Sequence, residues 1–160
     1  MASWSTCIYR GWGHSFATRV GLNRTEHAAP PATIVFDGVC LLCNGWVRFL
    51  LRHDHRRRYR YAAMQGTAGR ALLVQHGLDP EDPLSFLLVD AVGAWTDTDA
   101  IVRVLSGLGG LWRVAAVLRL VPRSLRDIGY RVVARNRYRW FGRSPHCMLP
   151  TPEQRALFLD

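Results

Sequence analysis

Two cysteines, Cys40 and Cys43, stand between segments of opposite periodicity, and that placement constrains the fold more than any other feature of the chain. Before them, Thr33, Ile34, Val35 and Phe36 form a β-branched and aromatic run closed by Asp37-Gly38, the pattern of a buried strand entering a turn. After them, from Asn44 to about His53, Trp46, Val47, Phe49, Leu50 and Leu51 cover a wide face while Arg48 and Arg52 share the other. That is a helix packed on a sheet. The dithiol is thus predicted at a strand-to-helix junction.

The elements that follow extend this unit. Residues 59–63 read as a second strand, 67–76 as a second helix ending before Gly77, and 84–90 as a third, mostly apolar strand. A turn over 91–94 leads to a short fourth strand around Trp95-Thr96. Ile101, Val104, Leu105 and Leu108 then fall at the spacing of an amphipathic helix, with Thr96 or Asp97 as cap and Gly109-Gly110 as stop. Strand, helix, strand, helix, hairpin, helix is the order of a thioredoxin-like α/β domain, three layers deep. Two additional C-terminal helices are predicted: one over 111–121, stopped by Pro122, and one opened by the capping box Ser124-x-x-Asp127 and running towards Phe141.

At 160 residues, 49% of them apolar and 21% charged, the chain suits one soluble domain that needs no disulfide or metal staple. We divide it into a leader over 1–31, disordered or targeting-like, a domain over 32–150 and a tail over 151–160. The leader is rich in Ser, Thr, Gly and Arg, with Glu26 its only acid, and lacks the apolar core of a secretory signal. The longest apolar stretch, 108–121, is interrupted by Arg113 and Arg119, so no membrane-spanning helix is expected. A cytoplasmic protein is the expectation, with an organelle address in residues 1–30 as the alternative.

The net charge of +9 comes entirely from arginine, since the chain has no lysine. Such an excess favours acidic partners through attraction that salt weakens. Arg131, Arg135 and Arg139 recur every four residues along the last predicted helix and offer either a surface for an acidic partner or a solvated face paired with nearby Asp residues. Tyr138, Trp140 and Phe141 interleave with them. On a helix these aromatics are expected to dock against the core rather than to stack on nucleic acid, which is not an expected partner.

The four cysteines are Cys7, Cys40, Cys43 and Cys147, too few for a disulfide scaffold. A thiol at the opening turn of a helix faces unpaired N-H groups and the positive end of the helix dipole, which favour thiolate. We expect Cys40 to attack a disulfide and Cys43, one turn on, to resolve the mixed disulfide. This chemistry calls for no cofactor and no metal, and its partner is a disulfide-containing protein or a small-molecule thiol. Two alternatives stand beside it: half of a zinc site completed by His146 and Cys147, or an inert buried pair. Cys147 could form a mixed disulfide with the pair or be a surface thiol. His53 and His55 lie about a helix length from Cys40, too far to act as its base.

The stretch Phe36-Asp37-Gly38-Val39-Cys40-Leu41-Leu42-Cys43-Asn44 resembles the signature of the DCC family of predicted thiol-disulfide oxidoreductases. The segments Arg126-Asp127-Ile128-Gly129-Tyr130 and Ala134-Arg135-Asn136-Arg137-Tyr138-Arg139-Trp140-Phe141-Gly142 resemble its C-terminal block, so the likeness covers about residues 33–150. It implies a thioredoxin-like fold, thiol-disulfide oxidoreductase activity, and Asp37, Cys40 and Cys43 as the redox site. Asp37 can be read as a proton carrier during exchange or as a turn residue whose carboxylate binds nearby N-H groups. A thioredoxin-like fold would also place a cis-proline before the third strand, where Pro83 stands. The functional alternative is a redox-inactive thioredoxin-like module that binds an acidic partner through its arginine-rich last helix.

Overall fold

Alternating side chains of the first strand divide the protein into layers. The computed structural model describes residues 31–81, 86–148 and 150–159. Strand β1 (Ala32–Phe36) points Ile34 and Phe36 to one face, where they meet Val47, Leu50, Ala100 and Val104. Val35 points to the other face, against Ala62, Met64, Leu73 and Leu87. Period-two alternation with apolar residues at both phases requires cover on both sides. Helices α1 (Leu41–His53) and α3 (Asp97–Leu108) supply it on the first face and α2 (Thr67–Gln75) on the second. The result is the expected α/β/α sandwich.

The sheet has the order β2-β1-β3-β4, with β2 Tyr59–Ala63, β3 Leu87–Val89 and β4 Ala94–Thr96. β1 pairs parallel with β2 in a register that sets Ile34 opposite Tyr61, and antiparallel with β3, where Ile34 faces Leu88. β3 and β4 form an antiparallel hairpin. A parallel βαβ unit joined to a hairpin through its first strand is a thioredoxin-like topology. Its close packing is visible at Gly69, where a Cβ would stand 2.0 Å from the Ala63 carbonyl oxygen. The free edge of β2 meets the tail, because Leu159 N-H donates to Tyr61 O at 2.8 Å and the Phe158 ring lies on Tyr61.

Several boundaries differ from the sequence expectation. α1 begins at Leu41 rather than Asn44, because the Cys40 sulfur accepts the Cys43 N-H at 3.4 Å and so caps the helix itself. The third strand is Leu87–Val89, with Phe86 and Asp90 outside it and residues 84–85 outside the described residues. Pro83 lies outside the described residues.

The predicted helix over 111–121 is a 3-10 helix, Gly110–Leu120, entered through the left-handed Gly109 and Gly110, and none of its residues is buried. The capping box does not form. Pro122 takes the cap position of α4 (Arg123–Phe141), Ser124 lies inside the helix, and the Asp127 carboxylate accepts Thr98 Oγ1 and pairs with Arg123. Trp140 and Phe141 do not dock into the core but are 54% and 46% exposed: Trp140 is out of phase with the core-facing row Tyr130, Ala134 and Arg137, and Phe141, in phase with it, is the last residue of α4. Among the described residues no helix is long and apolar enough to cross a membrane.

Candidate active site

The strand-to-helix junction forms a tight turn in which almost every polar group has a partner. Cys40 N-H donates to Asp37 O and Val39 N-H to the Asp37 carboxylate at 3.1 Å. Asn44, buried on the first turn of α1, donates from Nδ2 to Gly38 O at 3.0 Å, tying helix to turn. Opposite, the segment after α4 runs antiparallel beside Cys40. Leu41 N-H reaches Gly142 O, and Ser144 N-H reaches Val39 O at 2.8 Å.

Cys40 and Cys43 are both free thiols, one helical turn apart. Cys40 has no exposed surface, whereas Cys43 is half-buried. The Cys43 thiol donates to the Cys40 sulfur and, opposed by burial, this holds the Cys40 thiol down at about 6. The Cys43 N-H and the Arg137 charge add to the lowering, while the Asp37 charge opposes it. The Cys43 thiol moves the other way, far above the ordinary range, because it gives its proton to the Cys40 sulfur and is also buried. One sulfur is therefore largely thiolate at neutral pH and its neighbour is thiol.

Asp37 is 2% exposed and its carboxylate is fully engaged. Arg137 NH2 binds Oδ2 at 2.7 Å, the Tyr138 hydroxyl donates to the same oxygen, and Gln65 Nε2 donates to Oδ1 at 2.8 Å beside the Val39 N-H. Arg137 is 4% exposed and its Nε has no hydrogen-bond partner among the described residues. Gln65, Arg137 and Tyr138 are site residues to which the sequence analysis gave no role. For Arg137 the signal was the helical row Tyr130, Ala134, Arg137, which sets a cation on the core-facing side of α4 and so requires an acid beneath it.

The other predicted residues fall elsewhere. Cys147 is disulfide-bonded, to neither Cys40 nor Cys43, and so is not the surface thiol considered from sequence. Its sulfur would lie 3.5 Å from a Cβ at Gly38. His146 is exposed, and among the described residues no three His, Cys, Asp or Glu side chains gather as a metal would require. His53 Nδ1 meets Phe49 O at 2.8 Å at the far end of α1. In the arginine row, Arg131 reaches Asp97 at 4.0 Å, while Arg135 and Arg139 are exposed and make no ion pair among the described residues.

The chain is 36% identical over 135 residues to an uncharacterised protein of Bacillus subtilis, YuxK, covering 84% of this chain and 98% of that one. It is 38% identical over 117 residues to a chloroplastic DCC family protein of Arabidopsis thaliana, covering 72% of this chain and 68% of the relative. No solved structure matches. The family model for DCC1-like thiol-disulfide oxidoreductases matches residues 34–143, the span that contains the whole dithiol turn and its Arg137-Tyr138 lining. The chain belongs to the DCC1-like thiol-disulfide oxidoreductase family.

Proposed function

We propose that the protein exchanges the Cys40/Cys43 dithiol with a disulfide substrate, Cys40 attacking and Cys43 resolving. The observation that carries this reading is the asymmetric pair at the opening of α1, one sulfur held ionised at about 6 by the thiol and N-H of the other. The Cys40 thiolate attacks one substrate sulfur, the substrate S-S bond breaks, and the departing sulfur takes a proton. Cys43 then loses its proton and attacks the Cys40 sulfur of the mixed disulfide, releasing the second substrate thiol. Two electrons pass to the substrate, and a dithiol donor restores the reduced pair. Proton loss from Cys43 is hard while Cys40 is anionic and becomes easier once Cys40 is bonded, because the neighbouring negative charge is gone.

Attack requires an opening over Cys40. The adjacent Gly142–Ser144 segment is tied to the turn by the Leu41 and Ser144 N-H bonds already described, few enough to break together. The four donors on the Asp37 carboxylate support reading it as the anchor that holds Arg137 beside the sulfurs, in preference to a proton carrier. Residues 1–30 are where an organelle address would lie.

The test is a redox titration with an alkylation readout on the wild type, Cys40→Ser and Cys43→Ala. A two-electron transition at a potential between those of thioredoxins and glutaredoxins, lost in both variants, is the expected outcome. A dithiol that never oxidises in the titration, or disulfide reduction that survives Cys40→Ser, would overturn it.

A further inference from the structure

Beside the dithiol runs a groove that the exchange reaction itself does not use. Leu41 and Leu42, the two residues between the cysteines, line a cavity of about 600 Å³ whose other walls include Trp46 and Phe49 of α1, Trp112 of the 3-10 helix and Phe141 at the end of α4. Trp46 stacks on Phe49 at 5.4 Å, and Phe49 meets Trp112 edge-on at 4.8 Å, so the aromatic walls brace one another. Among the described residues no charged side chain lines the groove, although the chain carries a net charge of +9. Leu41 and Phe141 remain nearly half exposed on it.

We propose that this groove is a peptide subsite, holding the aromatic or branched aliphatic residues that flank the cystine of a substrate protein. The inference rests on the disulfide-exchange reading and specifies its substrate class. Leu41 and Leu42 are bonded to the residues that carry the sulfurs, so a disulfide poised at the pair has its own chain neighbours within one or two residues of the groove, at about 3.3 Å per extended residue. The volume is that of an ordinary ligand pocket and admits two or three side chains. Glutathione, whose groups beside sulfur are two carboxylates and an ammonium, would have to desolvate charges against apolar walls. A compact cyclic disulfide can present its S-S bond or fill the groove, but is too short to do both.

The experiment follows single-turnover reduction by the pre-reduced full chain of two peptide disulfides of equal length and charge, one with Trp and Leu beside the cystine and one with Ser at both positions. Oxidised glutathione and a small apolar cyclic disulfide are run in parallel. Burial of one or two apolar side chains predicts a preference of about tenfold to hundredfold for the apolar peptide. That ratio is expected to fall towards one in Trp112→Ser and to persist in Trp112→Phe. A wild-type ratio near one overturns the proposal without any variant. So does a ratio unmoved by Trp112→Ser, or glutathione or the cyclic disulfide reduced as fast as the apolar peptide. Reduction of none of the four would remove the exchange reading, and this inference with it, whereas reduction without preference removes the inference alone.

Discussion

Replacing Cys43 with alanine removes the largest influence that keeps Cys40 ionised while leaving the other contributions in place. The Cys40 thiol stands at about 6, against 9.0 for an unperturbed thiol on the same scale, and the Cys43 thiol hydrogen bond is the leading cause. Hydrogen bonds to charged acceptors contribute about 1.5–3 kcal/mol. At about 1.4 kcal/mol per pH unit, their loss raises the titration of Cys40 by about one to two pH units. The Cys43→Ala variant is therefore expected to titrate between about 7 and 8. It stays below the unperturbed thiol because the N-H of residue 43 and the Arg137 charge remain. In Cys43→Ser the hydroxyl can donate in place of the thiol, and the half-point should lie closer to the wild type.

The assay is thiolate ultraviolet absorbance against pH, paired with the rate of iodoacetamide modification of Cys40. In the wild type both should rise through about pH 6 and level off above it. A wild-type Cys40 that titrates like an ordinary thiol would refute the reasoning. A half-point unchanged in Cys43→Ala would refute it too, as would a serine variant shifted as far as the alanine one.

Arg137→Gln leaves the buried Asp37 charge without its cation and is expected to cost about 3–5 kcal/mol in urea unfolding, much of it recovered when Asp37→Asn is added. A double-mutant cycle with no coupling would show the pair to be independent. The reduced wild type should gain stability relative to Cys40→Ser as pH rises from about 6 to about 8. Folded Cys40 has already lost its proton near 6, the unfolded residue keeps its own to about 8.5, and the advantage is lost as pH falls through 6. Urea midpoints of the two proteins that run parallel, or converge with rising pH, contradict this.

Much of the fold was legible because its elements are periodic. Val35 between Ile34 and Phe36 marked a strand covered on both faces, and of the predicted α3 stripe Ile101, Val104 and Leu108 pack on the sheet while Leu105 lines the groove. Local signals failed where a distant residue competed for them. Ser124 and Asp127 have the spacing of a capping box, but Thr98, on another helix, takes the carboxylate, and Pro122 with its fixed φ opens the helix first. A helix was expected over 111–121, and the two left-handed glycines turn that segment along α3 as a 3-10 helix with its side chains largely in solvent. Trp140 and Phe141 were read as core by composition. Helical phase, with Tyr130, Ala134 and Arg137 facing inward, leaves Trp140 outside, whereas Phe141 shares their phase but is the last residue of the helix, where it lines the groove with Leu41 and Leu42.

The site was half visible for a related reason. Cys40 and Cys43 announce themselves by spacing and Asp37, on the same turn, by the resemblance to the DCC signature, whereas Arg137 lies 100 residues from Asp37 and is one of 21 arginines. What separates it from the others is its environment. Arg131, Arg135 and Arg139 are exposed, and Arg137 is the one buried arginine of that helix, against an acid that is buried too. Such a pair is costly to desolvate, and a well-packed apolar pair would do as well for stability alone. Its effect on the sulfurs is asymmetric: Arg137 favours the Cys40 thiolate and outweighs the opposing Asp37, while Asp37 supplies the charge without which the guanidinium could not remain beneath the surface. The carboxylate therefore weakens the thiolate directly and sustains it indirectly. On that argument Asp37→Asn with Arg137 intact should free the guanidinium to leave the site and raise the Cys40 titration, the opposite of what deleting a nearby negative charge does by itself.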